Sequence, residues 1–226
     1  MDDGPYSGMQ AIIIRPAKSF PFLRLPEEVR ANVYRYYFAP KGIVDDPIIL
    51  EGKRSSNKEI YAKAYADGSE YRVALLAVNH EIHDKALPIF YAHRLKFENT
   101  TSLLDFLGQV RDVRPHITSV EIKQYIKLTA RPALSILAES PRIKRLHFDA
   151  GVFSEGDASK AAKQFHEHAY KFLEAVGAME KDPEAGVAVL SFSRGAFKYK
   201  DDKKVEKSWS QSMVDDFKEA LRTRLR

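Results

Sequence analysis

The chain has 226 residues, of which 44% are hydrophobic and 11% aromatic, enough to bury a substantial core and too many for a disordered protein. Charged residues make up 30%, with a formal net charge of +5 and a pI near 9.2. Cysteine is absent, which excludes a disulfide framework, a thiolate zinc site and a cysteine nucleophile, and favours a reducing compartment.

Residues 1–19 hold Gly4, Pro5, Gly8 and Pro16 around one β-branched run and read as a flexible arm with one short strand. The run Ala11 to Ile14 is too short for a signal-peptide core or a membrane span, so no membrane association is expected. From Pro26 to about Phe38, Val29, Val33, Tyr34 and Tyr37 recur at helical spacing. Pro26 suits a first turn, Glu27 and Glu28 suit the positive end of the dipole, and Pro40 with Gly42 ends the helix. Residues 43–72 read as a partly ordered insertion, with short strands at Ile43-Val44 and Ile48-Ile49-Leu50 and an exposed turn from Gly52 to Lys58. Helical spacing returns from Val73 to Tyr91, with a break at Pro88.

Lys96-Phe97-Glu98 suggests a short strand, followed by a helix through Leu103, Phe106 and Val110 capped by Thr100 or Thr101. Ile117 to Ile122 alternates like a strand, Arg131 to Glu139 reads as a helix, and Ile143 to Phe148 alternates again. Ala161, Phe165, Ala169, Phe172 and Val176 then line one helical face, Val187 to Phe192 supplies a further strand, and Trp209, Met213, Phe217 and Leu221 place a last helix at the end of the sheet. Strands alternating with helices predict parallel pairing with right-handed crossovers. Their spacing is too uneven for a strict solenoid and predicts two or three degenerate repeats.

Three blocks, in this order, resemble the F-box-like proteins of filamentous fungi. The first is Leu25-Pro26-Glu27-Glu28-Val29-Arg30 with Val33-Tyr34-Arg35-Tyr36-Tyr37-Phe38. The second is Leu75 to Tyr91, with Ala86-Leu87-Pro88 near its end, although Lys85 stands where that family often carries an acidic residue. The third runs from Phe97 to Phe148, including Pro141-Arg142-Ile143-Lys144-Arg145-Leu146-His147-Phe148. The resemblance implies an α/β fold in which an N-terminal helical F-box-like segment packs on a small, mostly parallel sheet of degenerate, leucine-rich-repeat-like units. It divides the chain into the arm 1–19, a helical region 20–95 and an α/β region 96–226, the last two forming one compact unit.

It also implies a substrate-recognition subunit of a cullin-RING ubiquitin ligase, cytoplasmic or nuclear. Docking onto the ligase adaptor needs an apolar helix face presented to a groove, and Leu25, Pro26, Val29, Val33 and Tyr37 could form it. The same side chains could instead face the protein's own core. Target contacts would fall in Lys123 to Arg131, Asp149 to Ser159 and Arg194 to Lys204.

Signs of chemistry are weak. His80 and His83 in His-Glu-Ile-His are three apart, where a zincin helix needs four. His166 and His168 fall on different helix faces and read as solvent contacts. Ser191-Phe192-Ser193-Arg194-Gly195 lacks the first glycine of a nucleophile elbow. No catalytic residue, metal or cofactor is expected. The competing reading is a basic nucleic-acid-associated protein using the C-terminal third, because ten Lys/Arg face six Asp/Glu from Arg194 onward. Its candidate contacts are Arg142, Lys144 and Arg145 with Lys198, Lys200, Lys203 and Lys204, beside Tyr199.

Overall fold

The computed structural model describes residues 20–52, 60–62, 72–152, 156–200 and 205–226. The strand expected in 1–19 and the turn expected beyond Gly52 lie outside these residues. The chain is an α/β protein around a six-stranded sheet of order β2-β1-β3-β4-β5-β6. Its strands are β1 (Ile48–Gly52), β2 (Ile60–Ala62), β3 (Leu95–Asn99), β4 (Ser119–Gln124), β5 (Arg145–Ala150) and β6 (Leu190–Phe192). All pairings from β1 through β6 are parallel except the antiparallel edge pair of β1 with β2.

Register decides which side chains are buried, because neighbours in register share a face and parity alternates along each strand. Leu95, Val120, Leu146 and Leu190 lie side by side, as do Phe97, Ile122, Phe148 and Phe192. Ile48 and Leu50 of β1 extend both rows. These rows face a single helical layer of α3 (Thr100–Gln109), α4 (Lys127–Leu137) and α5 (Ala158–Glu180), packed in that order, with α7 (Gln211–Leu225) against α5. Phe148 stacks on Phe192 at 5.6 Å and meets Phe165 of α5 edge-on at 5.6 Å, while Phe217 of α7 lies 5.7 Å from Phe192. Offset and edge-to-face pairs of this kind add to the stabilisation from burial alone.

The N-terminal helices form a second, smaller cluster. Tyr34 and Phe38 of α1 (Glu27–Phe38) bury against Ile82 and Ala86 of α2 (His80–Tyr91). A chain of rings joins this cluster to the main core: Phe38 to Phe90 at 5.2 Å, Phe90 to Tyr91 at 5.0 Å, Tyr91 to Phe106 at 6.4 Å and Phe106 to Phe97 at 5.2 Å. On the surface, Arg30 pairs with Glu81 at 2.7 Å and Lys85 with Glu27 at 2.6 Å. Lys85 thus ties α2 to α1.

Several local expectations are corrected. The helix expected from Val73 is a short 3-10 segment over Arg72–Ala77, and α2 starts at His80 because the Asn79 side chain accepts from the Ile82 amide at 2.8 Å. That cap resets the chain more strongly than Pro88, through which α2 runs unbroken. Asn99, not Thr100 or Thr101, caps α3, accepting from the Ser102 amide at 2.9 Å. Ile43-Val44 is a turn rather than a strand, set by Gly42 at φ 75° and closed by the Asp46 amide on the Ile43 carbonyl. The stretch before Leu190 is not extended: Ala185–Ala188 forms one helical turn, α6, with Val187 buried. Val187, a strand former by propensity, becomes helical there because tertiary packing overrides propensity.

Gly186 makes that packing possible. A Cβ at this position would stand 2.6 Å from the Leu173 carbonyl oxygen and 2.8 Å from its Cα, and backbone atoms of a buried helix cannot swing aside. Gly186→Ala is therefore expected to lower unfolding free energy by about 2 kcal/mol or more, measured by urea titration. Wild-type stability in this variant would contradict the close approach of α6 to α5.

Candidate interaction surfaces

Every second residue of the sheet belongs to the face away from the helices. Lys96, Glu121, His147 and Ser191 lie side by side across β3 to β6, with Glu98, Lys123 and Asp149 forming the next row. The groups are mutually satisfied. Lys96 donates to Glu121 and, at 3.2 Å, to Asp149. Lys123 meets Glu98 at 2.9 Å, and His147 bridges Ser191 Oγ at 2.9 Å through Nδ1 and Asp149 Oδ1 at 3.0 Å through Nε2. Burial alone would lower the Lys96 pKa, but its hydrogen bonds to Glu121 and Asp149 outweigh that and raise it.

Serine, histidine and aspartate stand in line here, as in hydrolytic triads. Lys96, however, already compensates the Asp149 charge that would have to stabilise an imidazolium. The arrangement acts as a cross-strand clamp on a polar, partly exposed sheet face.

The segments after β4, β5 and β6 gather at the C-terminal edge of the sheet. The Tyr125 amide donates to the Ala150 carbonyl at 2.9 Å, the Ser193 amide donates to the Phe148 carbonyl at 2.9 Å, and the Ser193 hydroxyl donates to the Asp149 carbonyl at 2.5 Å. Gly151 takes φ 80°, and a Cβ there would meet the Tyr125 carbonyl at 3.1 Å. The described parts of the three expected target segments therefore share one edge. His168 is not a simple solvent contact: its Nδ1 is hydrogen-bonded to the Tyr125 hydroxyl at 2.6 Å, and the Tyr125 ring stacks on the imidazole. Burial pushes the Tyr125 pKa far up, so the phenol stays protonated.

The α1 residues divide cleanly. Tyr34 and Phe38 are buried, Leu25 is half-buried, and Pro26, Val29, Val33 and Tyr37 are exposed, Val29 and Val33 each at 43% and Tyr37 at 40%. Tyr36, at 62%, widens the stripe. Of the two orientations the sequence allowed, the outward one holds for Val29, Val33 and Tyr37, because the ion pairs with α2 and the buried Tyr34 and Phe38 fix the opposite side of the helix.

The basic groups are not brought together. Arg142, Lys144 and Arg145 are exposed at the N-terminal end of β5, with the Lys144 amide bonded to the Thr118 carbonyl at 2.8 Å. Lys198 and Lys200 lie in β7 (Lys198–Lys200), which pairs with β8 (Glu206–Ser208) beyond the opposite end of the sheet. Lys203 and Lys204 lie outside the described residues. Beside β7 a cleft of about 610 Å³ is lined by Phe192, Arg194, Phe197, Lys198, Trp209 and Lys218 among others. Phe197 and Trp209 are buried in their own contact at 5.6 Å, so they do not present open ring faces for base stacking.

No protein-family model matches the chain, and neither a curated protein nor a solved structure is significantly similar to it. Its surfaces must be read on their own physics. Among the described residues, no helix is long and apolar enough to cross a membrane, and no group of three or more His, Asp or Glu side chains is placed to hold a metal ion.

Sequence reasoning missed the polar row of the open sheet face. Its signal was present in the alternation Leu146-His147-Phe148-Asp149, where every second strand residue is polar, but cross-strand partners appear only once the register is known.

Three histidines give the fold a pH dependence. His93, His166 and His168 all have lowered pKa values, in each case chiefly through burial. Above the unfolded value of about 6.5, native and unfolded chains are both neutral at these sites. Below it the unfolded chain binds protons that the native state refuses, so stability falls as pH drops below about 6.5. Urea titrations across that window are expected to show this loss, with a smaller slope in His168→Gln. A flat or rising profile would contradict the assignment.

Proposed function

We propose that this chain is a non-enzymatic protein-interaction module, in which α1 docks a cullin-RING ligase adaptor and the open sheet face with its C-terminal loops receives a target. The carrying observation is the outward apolar stripe of Val29, Val33 and Tyr37 on a helix whose other side is already committed to Tyr34 and Phe38. An amphipathic helix that has spent one apolar face on its own core and keeps a second in water has the geometry of a helix offered to a groove. The order of the Leu-Pro helix, the Ala-Leu-Pro helix and the strand-helix units supports the F-box-like reading. The sequential β3-β4-β5-β6 order, with its helices in one layer on one face, supports the leucine-rich-repeat-like reading of the α/β half. A charged, open sheet face suits polar recognition, because its groups are held in fixed positions by cross-strand pairs.

The nucleic-acid reading has less support, since its two basic groups stand at opposite ends of the sheet. The test is binding of the purified chain to a purified ligase adaptor. Wild type is expected to be retained, and a Val29→Asp/Val33→Asp variant to be lost. Both positions are exposed, so this variant should stay within about 0.5 kcal/mol of wild-type stability per substitution. Failure of the wild type to bind, or undiminished binding by the double variant, would sink the proposal.

A further inference from the structure

At the N-terminal edge of the sheet, opposite the loops just described, a cavity of about 480 Å³ opens where α1, the turn before β1 and the starts of β3, β4 and β5 meet. Its size is that of a small-ligand site. The register builds one wall. Leu95, Val120 and Leu146 are in register, so the preceding Arg94, Ser119 and Arg145 form a row on the open-face parity. Arg35 reaches the cavity from α1, across from that row.

The charge in this cavity is unbalanced. Arg35, Arg94 and Arg145 line it against one acidic lining residue, Asp45. Arg94 gives one terminal nitrogen to the Asp45 backbone carbonyl at 2.7 Å, and its buried Nε, which has no hydrogen-bond partner, forms a long ion pair with Glu121 at 3.8 Å, a carboxylate that Lys96 shares. Among the described residues the Arg35 guanidinium hydrogen-bonds Asn32 at 3.5 Å and, like that of Arg145, makes no ion pair. In the same wall His93 is 5% exposed; backbone groups of Val44 and Arg35 lie against its ring, but its buried Nε2 makes no well-formed hydrogen bond to either. An orphaned buried donor costs free energy, and converging guanidinium groups repel one another unless an anion lies between them.

We propose that this cavity binds the phosphate group of a small soluble molecule, held by Arg35, Arg94 and Arg145 and by the imidazole Nε2–H of His93, with Ser119 at the rim. The guanidinium fork matches phosphate oxygens, and three of them arriving from different elements suit a tetrahedral anion better than a planar carboxylate. The remaining space accepts the organic part of the ligand. Binding would join α1 to the sheet, because Arg35 belongs to the first and Arg94 and Arg145 to the second. This site is independent of the adaptor-docking reading, since Val29, Val33 and Tyr37 do not line it.

Calorimetric titration of the full chain with inorganic phosphate, pyrophosphate and acetate, at matched ionic strength in chloride, tests the proposal. Wild type is expected to bind phosphate and pyrophosphate saturably, with a rise in melting temperature and a shift of the His93 ring resonances, and to ignore acetate. Arg35→Gln/Arg145→Gln alters two exposed side chains and should fold normally while losing at least tenfold in affinity. Arg142→Gln/Lys144→Gln removes two neighbouring cations outside the cavity and should bind like wild type. Absence of saturable binding, equal binding of acetate, or an equal loss in both double variants would overturn it.

Discussion

The register of the parallel strands is the constraint on which everything else in this molecule depends. With Leu95, Val120, Leu146 and Leu190 in one row and Phe97, Ile122, Phe148 and Phe192 in the next, one face of the sheet is continuously apolar and can be sealed by a single helical layer. Because side-chain direction alternates with a period of two, the same register lines up Lys96, Glu121, His147 and Ser191 on the other face. A slip of one residue would bury these polar groups and expose the phenylalanines. The cross-strand pairs of the open face therefore act against misregistration as well as presenting charge.

The helical N-terminal segment is attached to this sheet by aromatic contact. Phe38, Phe90, Tyr91, Phe106 and Phe97 form a continuous path from α1 to β3, and β1, which follows α1, pairs directly with β3. What had the character of an insertion between two helices thus supplies an integral strand. The consequence for α1 is a fixed orientation: two ion pairs with α2 and the burial of Tyr34 and Phe38 leave Val29, Val33 and Tyr37 no route inward. The same attachment creates the arginine-lined cavity, since it brings Arg35 over the starts of β3, β4 and β5.

The strand-helix alternation was legible because its periodicities are strong. Ile122, Leu146 and Phe148 alternate cleanly with polar residues, and Ala161 to Val176 keeps a helical stripe. Boundaries were less legible where a single side chain decides them. Asn79 and Asn99 each accept a backbone amide and set a helix start, the first at His80 rather than Val73 and the second just ahead of the expected threonine caps. Val187 reads as strand on propensity and becomes helical because Gly186 lets its turn rest on the Leu173 backbone. Of the surfaces, the outward stripe on α1 was legible as one of two orientations. The open-face network and the Arg94-Ser119-Arg145 row were not, since they join residues far apart in sequence through pairings that no local pattern encodes. The tie between Tyr125 and His168 escaped for the same reason.

Because the chain has no cysteine, introduced thiols can report directly on whether strand parity divides the sheet into a sealed face and an open one. Single thiols introduced as Lys123→Cys and Ile122→Cys, adjacent on β4, can be followed by their rates of alkylation under native conditions. Strand parity requires ready labelling at position 123 and protection at 122 that is lost only on global unfolding. Protection at 123 with ready labelling at 122 would place β4 in the opposite register and contradict both the buried rows and the surfaces built on them.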